Sequence, residues 1–220
     1  MSTLVDLPSP LSRIEEIANS ITHALGFALA MVASGVLLRY TSDYGDTLQM
    51  VGVSVYSITL LALYGASTLS HCFERPRVRH FFRTLDQVCI FLLIAGTYTP
   101  ISLTYLRHEW WWVLFIAVWT LAAAGIFAKI FLTRLHNVAV SAYVLLGWLP
   151  CIAIKPIMAA MPGEALAWLA IGGVLYTLGT LFLLYDERVP FFHAVWHVFV
   201  IAASACQYYA VLRFIVPWPS

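Results

Sequence analysis

Charge is what this sequence has least of: charged residues make up 10% of its 220 positions, against 61% hydrophobic ones. Soluble domains carry about a quarter charged residues and roughly half apolar ones. A chain this apolar cannot cover its own surface with polar groups, so lipid is the expected solvent. The net charge of +1 points to neither an acidic nor a basic partner. A basic stripe and a recognition motif are both lacking, which excludes nucleic acid as a partner. Cysteine is sparse and unpaired in pattern. Cys72, Cys89, Cys151 and Cys206 form no CxxC, and each lies in or beside an apolar stretch, so they read as small packing residues rather than disulfides. The opening MSTLVDLPSPLSRIEE lacks the charged start, short apolar core and cleavage site of a signal peptide. The first hydrophobic segment is therefore expected to stay in the mature protein. Long linkers, repeats and low-complexity segments are also missing, and residues 1–220 read as one domain with a short N-terminal tail over about 1–14.

What the sequence has is long apolar runs. A helix needs about 20 mostly apolar residues to cross the hydrocarbon. Seven stretches qualify, over 18–38, 48–71, 84–106, 110–131, 137–157, 164–185 and 190–214. They predict an all-α, polytopic seven-transmembrane helix bundle. Polar punctuation separates them: Ser42–Asp46, Glu74-Arg75-Pro76-Arg77, Arg107-His108-Glu109, Lys155-Pro156 with Pro162-Gly163, and Asp186–Pro190. Trp110, Trp111 and Trp112 look like an interfacial aromatic belt. Pro100 is expected to kink the third span, with the hydroxyls of Thr97, Tyr98 and Thr99 re-satisfying freed backbone groups.

Lys and Arg set the expected orientation. The side shared by the N-terminus and the even-numbered connections collects Arg13, Arg75, Arg77, Arg79, Arg83, Lys129, Arg134 and Arg188. The other side has Arg39, Arg107, Lys155 and Arg213. The bias predicts a cytoplasmic N-terminus and an external C-terminus. The run Arg75, Arg77, Arg79 and Arg83 reads as a topology determinant that also attracts anionic headgroups.

Ionisable side chains inside spans are expensive and usually functional. Ser67 and His71 lie at i and i+4 near the end of span two, Asp86 lies just inside span three, and His193 and His197 lie at i and i+4 at the start of span seven. The orientation above brings all five to similar depth near the cytoplasmic face. Three imidazoles with an open fourth position are a zinc pattern, so His71, His193 and His197 are the candidate ligands for one zinc per chain. Asp86 is the candidate catalytic residue, as general base or as acceptor for the bound water, and Ser67 is a candidate for the same role or for steadying the shell. Glu16, Asn19, Ser20 and His23 share one face of span one. That polar stripe is expected to look into the bundle and to support the mouth of the site. His80, His108 and His136 fall in connections and read as solvated interfacial side chains.

Four segments carry a resemblance beyond this chemistry. EEIANSITHALG (15–26), SxxxH at Ser67–His71, LDQVCIFLLIAGTYTP (85–100) and HAVWH (193–197) resemble the hemolysin III family, the bacterial branch of the progestin and adiponectin receptor superfamily. The resemblance covers nearly the whole chain. It implies seven helices, a cytoplasmic N-terminus and a cytoplasm-facing zinc site with His71, His193 and His197 as ligands and Asp86 and Ser67 around them. Wider relatives include ceramide-cleaving hydrolases. Three functions follow as expectations: membrane-lipid homeostasis through zinc-dependent hydrolysis of a lipid amide or ester, a non-enzymatic sensor of membrane state with structural zinc, and, last, a pore-forming cytolysin. The partner in each case is membrane lipid, with a lipid substrate or ligand inside the bundle, in a bacterial cytoplasmic membrane.

Overall fold

Apolar runs with few internal breakers carry the chain into helix almost throughout. The structure, a computed structural model, describes residues 10–106, 112–131 and 136–216, with side chains described over 13–106, 112–131 and 140–216. The elements are α1 (Pro10–Tyr44), α2 (Thr47–Cys72), α3 (Pro76–Tyr105), α4 (Trp112–Phe131), α5 (His136–Trp148), a 3₁₀ turn (Leu149–Ala153), α6 (Ile154–Ala160), α7 (Gly163–Leu184) and α8 (Phe192–Phe214). Among the described residues there is no strand. Seven segments are long and apolar enough to cross a membrane, the fifth (Val140–Ala160) combining the end of α5, the 3₁₀ turn and α6. The protein is an all-helical integral membrane protein, as its hydropathy predicts.

The helix ends differ from the sequence expectation in ways that matter. α1 has 35 residues, about 52 Å at 1.5 Å per residue, where a hydrocarbon core is about 30 Å thick. Nothing between Pro10 and Tyr44 breaks the helix, so it takes in the last residues of the predicted tail, Pro10 to Ile14, and most of the predicted turn at Ser42–Asp46. α3 starts at Pro76, not at 84. Proline is favoured in the first turn, where its missing N–H is not needed, so Pro76 begins a helix and the break shrinks to Phe73–Arg75. His80 consequently lies on α3, exposed, rather than in a connection. The fifth span is interrupted. Pro150 has no N–H to continue α5, and Leu149–Ala153 tightens into a 3₁₀ turn. Lys155 and Pro156 lie in the first turn of α6, so the fifth connection reduces to Met161 and Pro162. The last span begins at Phe192 rather than 190. Trp110, Trp111 and the Arg107-His108-Glu109 turn lie outside the described residues, as does the side chain of His136.

α2 packs along α1 and α3, α7 pairs with α8, and α1 also meets α8. The α2–α3 contact is a close backbone approach. A Cβ on Gly52 would stand 2.7 Å from Pro100 Cα, and one on Gly96 2.1 Å from Thr59 Oγ1. Small residues at such crossings drive helix association in lipid, where burial from water no longer helps. α3 continues through Pro100. Thr97 and Thr99 donate to the carbonyls of Leu93 and Ala95 at 2.8 and 2.9 Å, not to that of Gly96, which Pro100 leaves unbonded within the helix. Tyr98 instead donates across to the Gly147 carbonyl beside the interrupted fifth span. The buried core runs through Tyr56, Leu60 and Tyr64 to Trp196 and Val200, with a smaller cluster around Phe91, Val118 and Tyr143.

Candidate metal centre

Residues four apart share one face of a helix, and His193 and His197 do so in the first two turns of α8. His71 ends α2, which runs towards this end of the bundle while α8 leaves it. One ring nitrogen from each of the three lies within 4.8 Å of the other two. The ring centroids are 4.5 Å apart for His193–His197, 5.0 Å for His71–His193 and 5.3 Å for His71–His197.

Each ring is fixed through its Nδ1. His71 Nδ1 lies 2.8 Å from Glu16 Oε2, and His193 Nδ1 lies 2.7 Å from Asp186 Oδ2. An ionised carboxylate only accepts, so both Nδ1 atoms carry the proton. His197 Nδ1 lies 3.0 Å from Thr22 Oγ1. The Thr22 hydroxyl proton is directed at the carbonyls of Ala18 and Asn19, each at 2.9 Å, so its oxygen accepts from His197. With Nδ1–H donated, each neutral ring keeps its lone pair on Nε2. His71 Nε2 is buried and has no partner, a condition that costs about 1–3 kcal/mol for a polar atom and that a bound ion relieves. Metal-ligating histidines are held in this way, with the second ring nitrogen donating to a carboxylate or another oxygen. Tetrahedral zinc with bonds of about 2.0–2.1 Å sets its nitrogens about 3.3 Å apart, within reach of small side-chain rotations here. The donor set fits zinc, and imidazoles also suit copper and nickel.

α1 contributes no ring to this cluster yet holds two of its three rings and the start of α8. Glu16 pairs with His71, with Arg79, and at 3.8 Å with Arg83. Thr22 holds His197. Glu15 Oε1 accepts from the Phe191 N–H at 2.8 Å, where Phe191 has a φ of 63°. That left-handed conformation is a strained one for a bulky residue, and it sets the point from which α8 and His193 start.

Two cavities meet at this end. A polar vestibule of about 310 Å³ is lined by Glu16, His71, Asp86, Asp186 and His193 among others. An apolar cavity of about 540 Å³ lies between α3, α5, α6, α7 and α8, with Leu93, Ile101, Met158 and Val200 in its wall and His23, Ser67 and Asp86 lining it as well. Asp86 is the residue common to both linings. Ser67 is fully buried, with its hydroxyl beside the Asp86 carboxyl.

The haemolysin-III related family profile matches residues 11–208. The chain is 41% identical to Hemolysin-3 of Bacillus cereus over 207 residues, 94% of each chain. It is 37% identical over 206 residues to the Hemolysin-3 homolog of Bacillus subtilis (strain 168), covering 93% of this chain and 96% of the other. This chain belongs to the haemolysin III family. The similarity extends to the human monocyte to macrophage differentiation factor, 30% identical over 217 residues, covering 94% of this chain and 87% of that protein. The family resemblance drawn from the four sequence segments therefore holds.

In this haemolysin III family member, all the residues singled out in the sequence gather at one end: His71, His193, His197, Asp86, Ser67, Glu16, Asn19 and His23. Asn19 and His23 are buried and Glu16 is half-buried. Sequence reasoning missed Asp186, Thr22 and Glu15. Asp186 was assigned only to a connection, although it precedes His193 by seven residues. Thr22 lies three residues after Asn19, on nearly the same face as the polar stripe, and that spacing was the available signal. The arginine run is also only partly as expected. Arg75 and Arg77 are exposed, but Arg79 turns inward to Glu16 with Arg83 behind it.

Proposed function

We propose that this protein is a zinc-dependent hydrolase of a lipid amide or ester that serves membrane-lipid homeostasis in a bacterial cytoplasmic membrane. It holds one zinc per chain on His71, His193 and His197. The observation that carries this reading is the place of Asp86, at the junction of a polar vestibule and an apolar cavity, at the same end as three clustered imidazoles of which His71 has an unpartnered Nε2. When bound, zinc supplies Lewis-acid polarisation of a carbonyl and lowers the pKa of water. The chain's residues supply the rest. The apolar cavity takes the acyl chain, and the vestibule admits water and the headgroup. Asp86 removes a proton from the attacking water as its oxygen bonds to the carbonyl carbon. It returns the proton to the leaving nitrogen or oxygen as the C–N or C–O bond breaks, giving a fatty acid and an amine or alcohol. Ser67 hydrogen-bonds the reacting group. Glu16, Asp186 and Thr22 keep the three rings in the ligating tautomer. The eight-to-four distribution of Lys and Arg supports a cytoplasmic N-terminus, with the site at the cytoplasmic face.

A non-enzymatic sensor with structural zinc is the second reading. It is favoured by the way the ligands and their acceptors join α1, α2 and α8 into one unit. Cytolysis, carried only by the relatives' name, ranks third. The experiment is fatty-acid release from N-acyl and O-acyl lipids in liposomes containing the purified protein. Release that is abolished by a chelator and restored by zinc is expected. A zinc-loaded, folded protein that releases nothing from either lipid class would leave the sensor reading in its place.

A further inference from the structure

The apolar cavity has a polar spot well away from the histidines. Gln207 is 9% exposed and is the farthest residue from them that α8 gives to the cavity wall. Gly172 makes room for it. A Cβ there would stand 2.7 Å from Gln207 Nε2 and 3.1 Å from the Ala203 carbonyl oxygen, so the Gln207 side chain lies close against α7. Gln207 Nε2 donates to the Leu169 carbonyl at 3.1 Å. A carbonyl only accepts, so this contact fixes which end of the amide is nitrogen. The amide oxygen is buried and has no partner. Three residues earlier on α8, Ser204 accepts from the Tyr64 hydroxyl at 3.0 Å and lies 2.7 Å from the Tyr176 hydroxyl. Tyr176 follows Gly172 by one turn of α7 and also lines the cavity. These three hydroxyls bring three protons to two hydrogen bonds, so Ser204 or Tyr176 keeps a spare one. That proton does not reach the Gln207 oxygen, which is unpartnered.

Residues three apart on a helix are neighbours, with Cβ atoms about 5–6 Å apart. An unmet acceptor and a spare donor therefore stand side by side at an apolar space, where each unmet hydrogen bond is costly. One group placed between them meets both if it donates and accepts from a single atom. A hydroxyl does so. A methylene does neither, a carbonyl only accepts, and an amine is protonated at neutral pH and only donates. Gln207 lies ten residues beyond His197, about 15 Å along α8. An extended chain advances about 1.2 Å per bond, so this spot is roughly twelve bonds from the metal end. We propose that the cavity recognises a hydroxylated acyl chain, whose hydroxyl, about twelve carbons from the carbonyl, donates to Gln207 Oε1 and accepts from Tyr176 or Ser204. The proposal rests on the reading that an acyl chain fills this cavity, and it specifies that chain.

The test uses the zinc-loaded full chain in nanodiscs and four tritiated acids of equal chain length. These are stearic acid and its isomers with a single hydroxyl beside the carboxyl, about twelve carbons along, or on the last carbon. Dissociation constants are measured for the wild type and for Gln207→Leu and Gln207→Met, which remove the acceptor at similar volume. The wild type is expected to bind the isomer hydroxylated about twelve carbons along on the order of tenfold more tightly than the other three acids. The isomers all carry one hydroxyl into the cavity, so position alone is compared. Either variant should bring that isomer within roughly twofold of the others and leave stearic acid within roughly twofold of its wild-type affinity. Zinc content should stay unchanged. A wild type that binds no acid, favours another isomer or binds all four alike overturns the proposal; equal binding would mean that water meets these atoms. So does a folded variant that keeps the preference. Where neither variant folds, the wild-type ranking decides. Release of the acids from their N-butylamides and butyl esters, followed in parallel, separates the two ideas. The expected preference without release retires the hydrolase and keeps the hydroxyl site. Release with four equal affinities does the reverse.

Discussion

The two ends of the bundle both bury polar side chains, but they use them differently. At the far end, Asp46 and Gln49 form a capping box at the start of α2, and the Gln49 amide then donates to the Ile215 carbonyl at 2.7 Å. Tyr105 donates to the Phe214 carbonyl, and Thr41 to that of Leu37 at 2.7 Å. The first two join the start of α2 and the end of α3 to the end of α8, and the third lies within α1, all met by backbone; the Thr104 hydroxyl is unpaired. At the histidine end, side chain meets side chain across α1, α2 and α8, and most of what is left unpaired belongs to residues that line a cavity: His71 Nε2, Asn19 Oδ1 and both nitrogens of His23, with Arg79 Nε unpaired apart from them. Polar atoms met by backbone hold the fold. Unmet polar atoms beside a cavity are what the proposed metal and lipid would meet.

Substitutions at the two ends sharpen this contrast. The largest effect is expected from Asp86→Asn. The amide keeps the size and hydrogen-bonding capacity but cannot take a proton at neutral pH. Hydrolysis should fall by roughly 10²–10⁴ while zinc content and unfolding temperature stay near wild type. A fully active Asp86→Asn would erase the catalytic half of the contrast. Next come the acceptors behind the ligands. Glu16→Gln and Asp186→Asn should each weaken zinc affinity by about 10–100-fold, read by competition with a chelating indicator. Glu16→Gln should also loosen Arg79, so its loss of stability should exceed that of Asp186→Asn. The smallest effect on the metal is expected from the far end. Gln49→Ala leaves the Ile215 carbonyl unmet and should cost about 1–3 kcal/mol of stability in detergent unfolding, with zinc affinity unchanged. A change in zinc affinity there would show that the two ends are not separable.

Hydropathy alone yielded the seven spans, because lipid imposes a length on apolar runs and nothing in the chain obscures it. The boundaries were less legible. α1 runs beyond the bilayer thickness at a point where composition turns polar but helix formation does not stop, and Pro76 starts a helix where it looked like a break. The interruption at Pro150 was hidden because the residues on either side remain apolar. Within the site, His193 and His197 were legible from their spacing, and His71 and Asp86 from equal depth. Asp186, Thr22 and Glu15 were not, since a connection carboxylate or a helical threonine gains meaning only once packing brings an imidazole or an amide to it. The inward turn of Arg79 was hidden for the same reason: its partner Glu16 is 63 residues away in sequence.

The central claim is that three imidazoles, aligned by Glu16, Asp186 and Thr22, hold one metal ion at the meeting point of the two cavities. Elemental analysis of the purified protein tests it most directly, on the wild type and on the variant carrying His71→Ala, His193→Ala and His197→Ala together. One zinc per chain in the wild type and none in the variant is the expected result. Full zinc occupancy in the folded triple variant would contradict the account.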